Sequence, residues 1–200
     1  MPRILIMGTS CSGKSTLADQ VGHTLGIPVT HLDDLFWNPG WVETPLDAFR
    51  EKVAAVAARD TWVIDGNYSR TTDLTRPRAT AIVWLDLPFA LVLGRCLRRT
   101  LGRALLGREC CNGNRESLYR SFCTRDSIVW WVITTRHKAR RRYAHDLAPG
   151  TEHGTKVVRL RSRQAVRAWL ATLPATSEQP AGEQALIDAH HHDQHSQRSQ

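Results

Sequence analysis

The chain has 200 residues, 42% of them hydrophobic, and this length and composition predict one globular domain with a buried core. Its apolar runs are too short for a signal peptide or a membrane span, and its five cysteines lack the C-x-x-C spacing of zinc sites, so we expect a reducing, cytoplasmic location. The net charge of +8 comes almost entirely from arginine and favours a polyanionic ligand, a nucleotide or a nucleic acid, although solvated arginine-rich faces would give the same total.

The most specific motif lies near the N-terminus. Arg3 to Met7 (RILIM) predicts a short buried strand, and the next residues, GTSCSGKST, fit the pattern G-x-x-x-x-G-K-[ST]. A helix is predicted behind this loop, because leucine and valine recur there every four residues as far as Gly26. Glycines let successive backbone N–H groups surround a phosphate, and the helix N-terminus adds partial positive charge.

We therefore predict a phosphate-binding loop in which Lys14 reaches the outer phosphates of a nucleotide and the Ser15 hydroxyl binds Mg²⁺. Cys11 within the loop is interpreted as a small filler rather than a nucleophile. The predicted nucleotide-contacting residues are Gly8, Thr9, Ser10, Cys11, Ser12, Gly13, Lys14, Ser15 and Thr16.

Four further strands alternate with helices along the chain. The strands are predicted at residues 28–32, 61–64, 80–85 and 156–160. Thr44 is predicted as the N-cap of one helix, another helix follows Pro88 with Phe89, Leu93, Cys96 and Leu97 facing inward, and a final helix follows the last strand. This alternation predicts an α/β domain with a parallel sheet covered by helices on both faces, and ligands in such sheets bind beyond the carboxyl ends of the strands.

Three aspartates follow predicted strands and so fall at that edge. Asp33 follows the second strand, Asp65 ends the third and Asp86 follows the fourth. Asp65 is predicted to hold Mg²⁺ through water, with a turn or N-cap aspartate as the alternative, whereas Asp86 is predicted to cap the next helix. The segment HLDDLFWNPGW carries Asp33 together with Phe36, Trp37 and Trp41, which can form an apolar wall for a flat acceptor or pack into the core.

The helix after Pro88 carries Arg95, Arg98 and Arg99 on one face. Near a phosphate site these guanidinium groups would stabilise charge during transfer, and on a solvated face they would have no such role. The polar, arginine-bearing region of about residues 95–145 is predicted to hold a helical lid, and residues 174–200 are predicted to form a disordered tail after a single 1–173 domain.

The chain resembles adenylate-kinase-like P-loop kinases, and more narrowly the bacterial proteins labelled DNA topology modulation proteins. The resemblance rests on Gly8–Thr16, His31–Trp41 and Asp65–Ser69 within the WVIDGNYS stretch, together with VWLDLP and the arginine helix. It implies the three-layer P-loop NTPase fold with strand order 2-3-1-4-5, ATP at the loop, an acceptor pocket between the second and third strand ends, and lid arginines. Adenylate kinases typically follow the Asp-Gly of the third strand with Phe-Pro-Arg, whereas this chain has Asn67-Tyr68-Ser69. This departure argues against AMP, and Asp33 is reminiscent of kinases whose acceptor is a hydroxyl.

The leading functional hypothesis is therefore an ATP-dependent kinase, a phosphotransferase that uses MgATP and a small acceptor such as a nucleotide, a nucleoside or a similar metabolite. The alternatives are a nucleic-acid-associated protein and a non-enzymatic ATP-binding switch. The candidate catalytic residues are Lys14, Asp33, Arg95 and Arg99, the acceptor residues are Asp33, Phe36, Trp37, Trp41, Asp65, Gly66 and Asn67, and the Mg²⁺ residues are Ser15 and Asp65.

Overall fold

The computed structural model describes residues 1–106, 111–114, 128–147 and 155–174. The strands are β1 Arg3–Gly8, β2 Val29–His31, β3 Trp37–Asn38, β4 Val42–Glu43, β5 Trp62–Asp65, β6 Ala81–Leu85 and β7 Lys156–Leu160. The α-helices are α1 Lys14–Leu25, α2 Leu32–Phe36, α3 Leu46–Ala57, α4 Thr72–Thr75, α5 Phe89–Leu106, α6 Ile128–Asp146 and α7 Arg163–Leu170. Short 3₁₀ turns occupy Ser69–Thr71, Arg76–Arg78 and Cys111–Gly113.

The main sheet has five parallel strands in the order β2-β5-β1-β6-β7. Counted within this sheet alone, that order is 2-3-1-4-5, which confirms the prediction. The register aligns His31 of β2 with Asp65 of β5, and Asp65 in turn with Ile6 of β1. The three strand ends nearest the phosphate loop therefore lie side by side at one edge of the sheet.

The two faces of the sheet bury separate apolar clusters because side chains alternate along each strand. On one face Leu5 and Met7 of β1 pack with residues of α2, α3 and α6. On the other face Ile4 and Ile6 pack with α1 and α7. The chain thus has the three-layer α/β architecture of P-loop NTPases, with helices on both faces as predicted.

Part of the predicted lid lies outside the described residues, namely 107–110 and 115–127, and so do residues 175–200 of the predicted tail. The limits of the 1–173 domain and the lid stay predictions. Among the helices that the structure describes, none combines the length and apolar character needed to cross a membrane.

Two local predictions are wrong. Pro45, not Thr44, is the N-cap of α3, because the Thr44 hydroxyl donates to the Leu35 carbonyl at 2.9 Å and accepts from the Asn38 amide at 3.1 Å. Leu97 does not face inward on α5 but is 36% exposed. Cys96 is buried as predicted, and Val92, four residues before it on the same face, is buried where Leu97 is not.

A substitution at Gly22, where α1 contacts β2, tests the packing on this side of the sheet. A Cβ at Gly22 would overlap Val29 Cγ2 and lie 3.0 Å from the Ile27 carbonyl oxygen. We expect Gly22→Ala to lower the free energy of unfolding by about 1–3 kcal/mol, because a β-branched side chain and backbone must both move. Gly94→Ala on α5 is the matched control, since a Cβ there meets no atom of the described residues within 4 Å. It should raise stability by about 0.5–1 kcal/mol through helix propensity. Urea denaturation measures both changes, and equal stabilities would contradict the packing.

Candidate active site

The phosphate loop joins β1 to α1 and places two of its residues in the left-handed backbone region. Gly13 immediately before α1 has φ 93°, and Cys11 adopts φ 62°, so both lie in the left-handed region. A Cβ at Gly8 would lie 2.9 Å from Ser12 Oγ and 3.0 Å from the Leu85 carbonyl oxygen. Lys14 folds back over the loop and donates from Nζ to the Thr9 carbonyl at 3.3 Å. The ammonium group of Lys14 therefore lies at the entrance of the loop.

The Cys11 thiol is buried within the loop beside Cys96 of α5. A hydrogen bond with Cys96 and burial raise the pKa of Cys11 far above its usual value. Because thiolate is the reactive form of cysteine, this environment supports the interpretation of Cys11 as a small filler.

Two arginines of α5 lie beside the loop. Arg95 donates from Nη1 to the Ser12 carbonyl at 2.5 Å, and burial together with the charges of Arg163 and Arg98 lowers its pKa. Arg99 Nε and Ser12 Oγ are buried and have no hydrogen-bond partner among the residues that the structure describes. A cluster of like charges and unpaired donors is unfavourable unless an anion joins it, which fits phosphate groups at this position. No local pattern in the sequence points to Arg163, because this residue begins α7, far along the chain from the loop.

Asp65 is a buried carboxylate at the end of β5. Its Oδ2 lies 3.1 Å from His31 Nδ1, whereas its Oδ1 is buried and has no hydrogen-bond partner in the described part of the chain. Burial alone would raise the pKa of Asp65, but the hydrogen bond with His31, the charge of Lys14 and the neighbouring Ser15 hydroxyl lower it below its usual value. A charged carboxylate with one unused oxygen beside a serine hydroxyl fits the oxygen ligands that Mg²⁺ prefers.

Like Arg163, His31 is a polar residue of the site for which no role was predicted. Its ring bridges two acids, with Nδ1 3.1 Å from Asp65 and Nε2 3.0 Å from Asp19 Oδ1. The hydrogen bond to Asp65 is the main cause that raises its pKa from 6.5 to about 9. His31 is therefore protonated at neutral pH. His31 faces Asp65 on the neighbouring strand, but the sequence alone does not reveal this pairing, because it depends on the register of β2 and β5.

Asp33 lies in the first turn of α2 with its carboxylate exposed. The Tyr68 hydroxyl donates to Asp33 Oδ1 at 2.6 Å. Because α2 starts directly after β2, this carboxylate stands just beyond the level of Asp65. The structure thus brings the phosphate loop, Asp65 and Asp33 together at one edge of the sheet.

The three aromatic residues of the acceptor segment separate into two groups. Phe36 is 9% exposed and packs against Phe49 and Trp37 in the core, the alternative raised for this group. Trp37 and Trp41 are only half-buried and meet edge to face with ring centroids 5.6 Å apart. These two indoles, unlike the ring of Phe36, keep part of their surface outside the core.

Two asparagines beyond α5 hold the backbone of the same segment. Asn112 donates from Nδ2 to the carbonyls of Asp34 at 2.8 Å and Trp37 at 2.6 Å. Asn114 accepts from the Trp41 N–H at 2.8 Å and donates to the Asn38 carbonyl at 3.0 Å. The Trp41 N–H is thereby paired while its backbone takes a left-handed φ of 61°.

Gly66 and Asn67 form the turn after β5. A Cβ on Gly66, whose φ is 134°, would lie 2.9 Å from Leu32 Cβ, so the turn and α2 are in close contact. The Asn67 side-chain amide donates a hydrogen bond to the Tyr143 hydroxyl of α6. This hydrogen bond ties the turn after β5 to α6.

Asp86 was predicted to cap the helix that follows it. In the structure its carboxylate forms ion pairs with two arginines. Its buried carboxylate lies 2.6 Å from Arg159 Nη2 and 2.8 Å from Arg140 Nε. The Arg159 guanidinium also stacks over the Trp84 ring, 4.1 Å from its centroid. These contacts tie α6 and β7 to the end of β6, a structural role.

Comparisons with known proteins add little to this geometry. No model of a known protein family matches the sequence, and no curated protein matches it. A gluconokinase from Sinorhizobium meliloti 1021 aligns with 85% of this chain and 91% of its own at 18% identity and a TM-score of 0.48. Shikimate kinases from Bacteroides thetaiotaomicron and Aquifex aeolicus vf5 each align with 85% of this chain and 94% of their own, at 15% and 16% identity and TM-scores of 0.49 and 0.47. The assignment of the fold rests on the strand order and the loop.

The His31 ion pairs predict a pH-dependent stability. A histidine whose pKa rises from 6.5 to about 9 on folding contributes stability that is complete below 6.5 and lost as the pH rises through about 9. Between pH 6.5 and about 9, we expect the free energy of unfolding to fall by about 1–2 kcal/mol more in the wild type than in His31→Gln. This value allows for screening by solvent, because the His31 ring is partly exposed. Urea denaturation at several pH values measures the difference. Parallel curves for the two proteins would contradict a protonated His31.

Proposed function

We propose that this chain is an ATP-dependent phosphotransferase, which moves the γ-phosphoryl group of MgATP to a hydroxyl of a small acceptor. The observation that carries the proposal is the β2-β5-β1 register, since it aligns the strand ends that lead to Asp33, Asp65 and the phosphate loop. A kinase needs a phosphate cradle and an acceptor-activating carboxylate close together. The acceptor class is a nucleotide, a nucleoside or a similar metabolite.

The donor set fits MgATP. Lys14 and the loop N–H groups would hold the phosphates, and the Ser15 hydroxyl with the unpaired Asp65 Oδ1 would hold Mg²⁺, directly or through water. Bound Mg²⁺ would neutralise phosphate charge during the transfer. His31 would keep Asp65 ionised and fix Oδ2, which leaves Oδ1 directed to the ion.

The remaining residues act on the acceptor and on the transferred charge. Asp33 would accept a hydrogen bond from the acceptor hydroxyl and take its proton as the bond to phosphorus forms. Arg95, which contacts the loop carbonyl of Ser12, and Arg99 would stabilise the charge that spreads over the transferred group. Trp37 and Trp41 would offer half-buried ring surface to the acceptor, together with the turn of Gly66 and Asn67.

Nucleic-acid binding is a second candidate because the end of α6 exposes Lys138, Arg141 and Arg142. Such a patch gives affinity that falls steeply with salt and carries no base recognition. The narrower resemblance to DNA topology modulation proteins stays a prediction, as does a switch that binds ATP without turnover.

A panel of nucleosides, nucleotides, sugars and short oligonucleotides, incubated with γ-labelled ATP and the protein, tests the proposed activity. We expect label in one class of small hydroxyl-bearing acceptor. Label confined to oligonucleotides would favour the second candidate, and tight ATP binding with no labelled acceptor would favour the switch.

Asp33→Asn tests the assigned acceptor-activating group. We expect turnover to fall by about 10²–10⁴-fold while the dissociation constant of ATP stays within about 2-fold, because the carboxylate acts on the acceptor and not on the phosphate cradle. Asp34→Asn is the matched control, since Asp34 is the neighbouring exposed carboxylate on the same helix. Steady-state kinetics and ATP titration separate the two effects, and equal turnover in the two variants would remove Asp33 from the mechanism.

A further inference from the structure

The Tyr68 hydroxyl makes a short hydrogen bond to the exposed carboxylate of Asp33. The distance from Tyr68 Oη to Asp33 Oδ1 is 2.6 Å, which is typical of an O–H group that donates to an ionised carboxylate. Among the residues that the structure describes, no other group hydrogen-bonds the Asp33 side chain. One carboxylate oxygen is thus engaged, and Oδ2 is left for another partner.

The Tyr68 ring is held by the apolar core beneath it. Its centroid lies 4.9 Å from that of Phe36 and 5.1 Å from that of Phe49. Both phenylalanines are buried, at 9% and 0% exposure. Two rings packed against one tyrosine leave its χ angles little freedom, so the hydroxyl has a defined position.

The backbone of Tyr68 is held as well. Its carbonyl accepts from the Thr71 N–H at 3.0 Å and from the hydroxyls of Thr71 and Thr72 at 3.1 and 3.3 Å. The Gly66 turn before it packs against Leu32, the residue that precedes Asp33. Contacts before and after Tyr68 in the chain therefore hold its backbone in place relative to α2.

Asp33 itself has little that would orient it without this contact. It lies on a helix of five residues, and its side chain faces solvent. A carboxylate that rotates freely reaches a productive geometry in only a fraction of its conformations, and catalytic groups displaced by about 1 Å can lose about 10²-fold in rate. An anchored phenol removes that freedom.

We propose that Tyr68 is a positioning residue, which holds Oδ1 of Asp33 so that Oδ2 meets the acceptor hydroxyl. The proposal rests on the phosphotransferase function proposed above and adds a residue to it. Tyr68 lies in the Asn67-Tyr68-Ser69 stretch, which departs from the Phe-Pro-Arg typical of adenylate kinases. The partnership of Tyr68 with a residue 35 positions earlier explains why a tyrosine occupies this turn.

Tyr68→Phe removes the hydroxyl and keeps the ring, so it separates positioning from packing. We expect kcat to fall by about 10- to 100-fold, with the KM for ATP and the melting temperature close to those of the wild type. The decisive comparison is a double-mutant cycle with Asp33→Asn. If Tyr68 acts through Asp33, adding Tyr68→Phe to Asp33→Asn should change kcat by less than about 2-fold.

The cycle distinguishes the possible failures. A slow Asp33→Asn variant combined with a fully active Tyr68→Phe, or with losses that multiply in the double variant, would overturn the role of Tyr68 and leave the phosphotransferase standing. A fully active Asp33→Asn variant would overturn both, since Tyr68 would then position a group that the reaction does not use. The absence of any labelled acceptor with the wild type would overturn the phosphotransferase, and the positioning role with it.

Discussion

The parallel register of β2, β5 and β1 is the constraint on which the candidate site depends. It sets His31 level with Asp65 and Asp65 level with Ile6, two residues before the loop begins. A shift of one residue in β2 would reverse the faces of its side chains and break the pairing of His31 with Asp65. Because α2 follows β2 without a linker, the same shift would also move Asp33 away from Tyr68. Backbone pairing in the sheet therefore controls the geometry of groups that are separate in sequence.

Charges are divided between two sides of the loop. On the β2 and β5 side, protonated His31 and Lys14 hold the buried Asp65 in its ionised form. On the α5 side, Arg95 lies among other arginines, and its lowered pKa reflects burial and mutual repulsion. Asp86 takes no part in this balance, because arginines from α6 and β7 already pair with it. The loop thus lies between a carboxylate suited to a cation and guanidinium groups suited to phosphate, an arrangement that MgATP would complete.

Local signals made the fold largely predictable. The loop motif marks the turn from β1 to α1, and the predicted bounds of the five sheet strands differ from those of the structure by at most one residue at each end. The side-chain partnerships were not predictable in the same way. His31 and Asp65 are 34 residues apart, and Asn112 reaches Asp34 across 78 residues. Such pairs depend on strand register and helix docking, for which one sequence carries no local pattern. The predicted N-cap role of Thr44 was wrong for a related reason. Its hydroxyl, which a cap would have used, is hydrogen-bonded to Leu35 and Asn38 instead.

A crystal structure with Mg²⁺ and a non-hydrolysable ATP analogue would show whether the loop, Asp65 and Asp33 meet one bound nucleotide. We expect the triphosphate along residues 8–16, the metal ion within direct or water-mediated reach of Ser15 and Asp65, and the terminal phosphate facing Asp33 Oδ2. Tyr68 should still contact Oδ1 in that complex. A terminal phosphate directed away from Asp33, or an analogue bound outside the loop, would contradict the account.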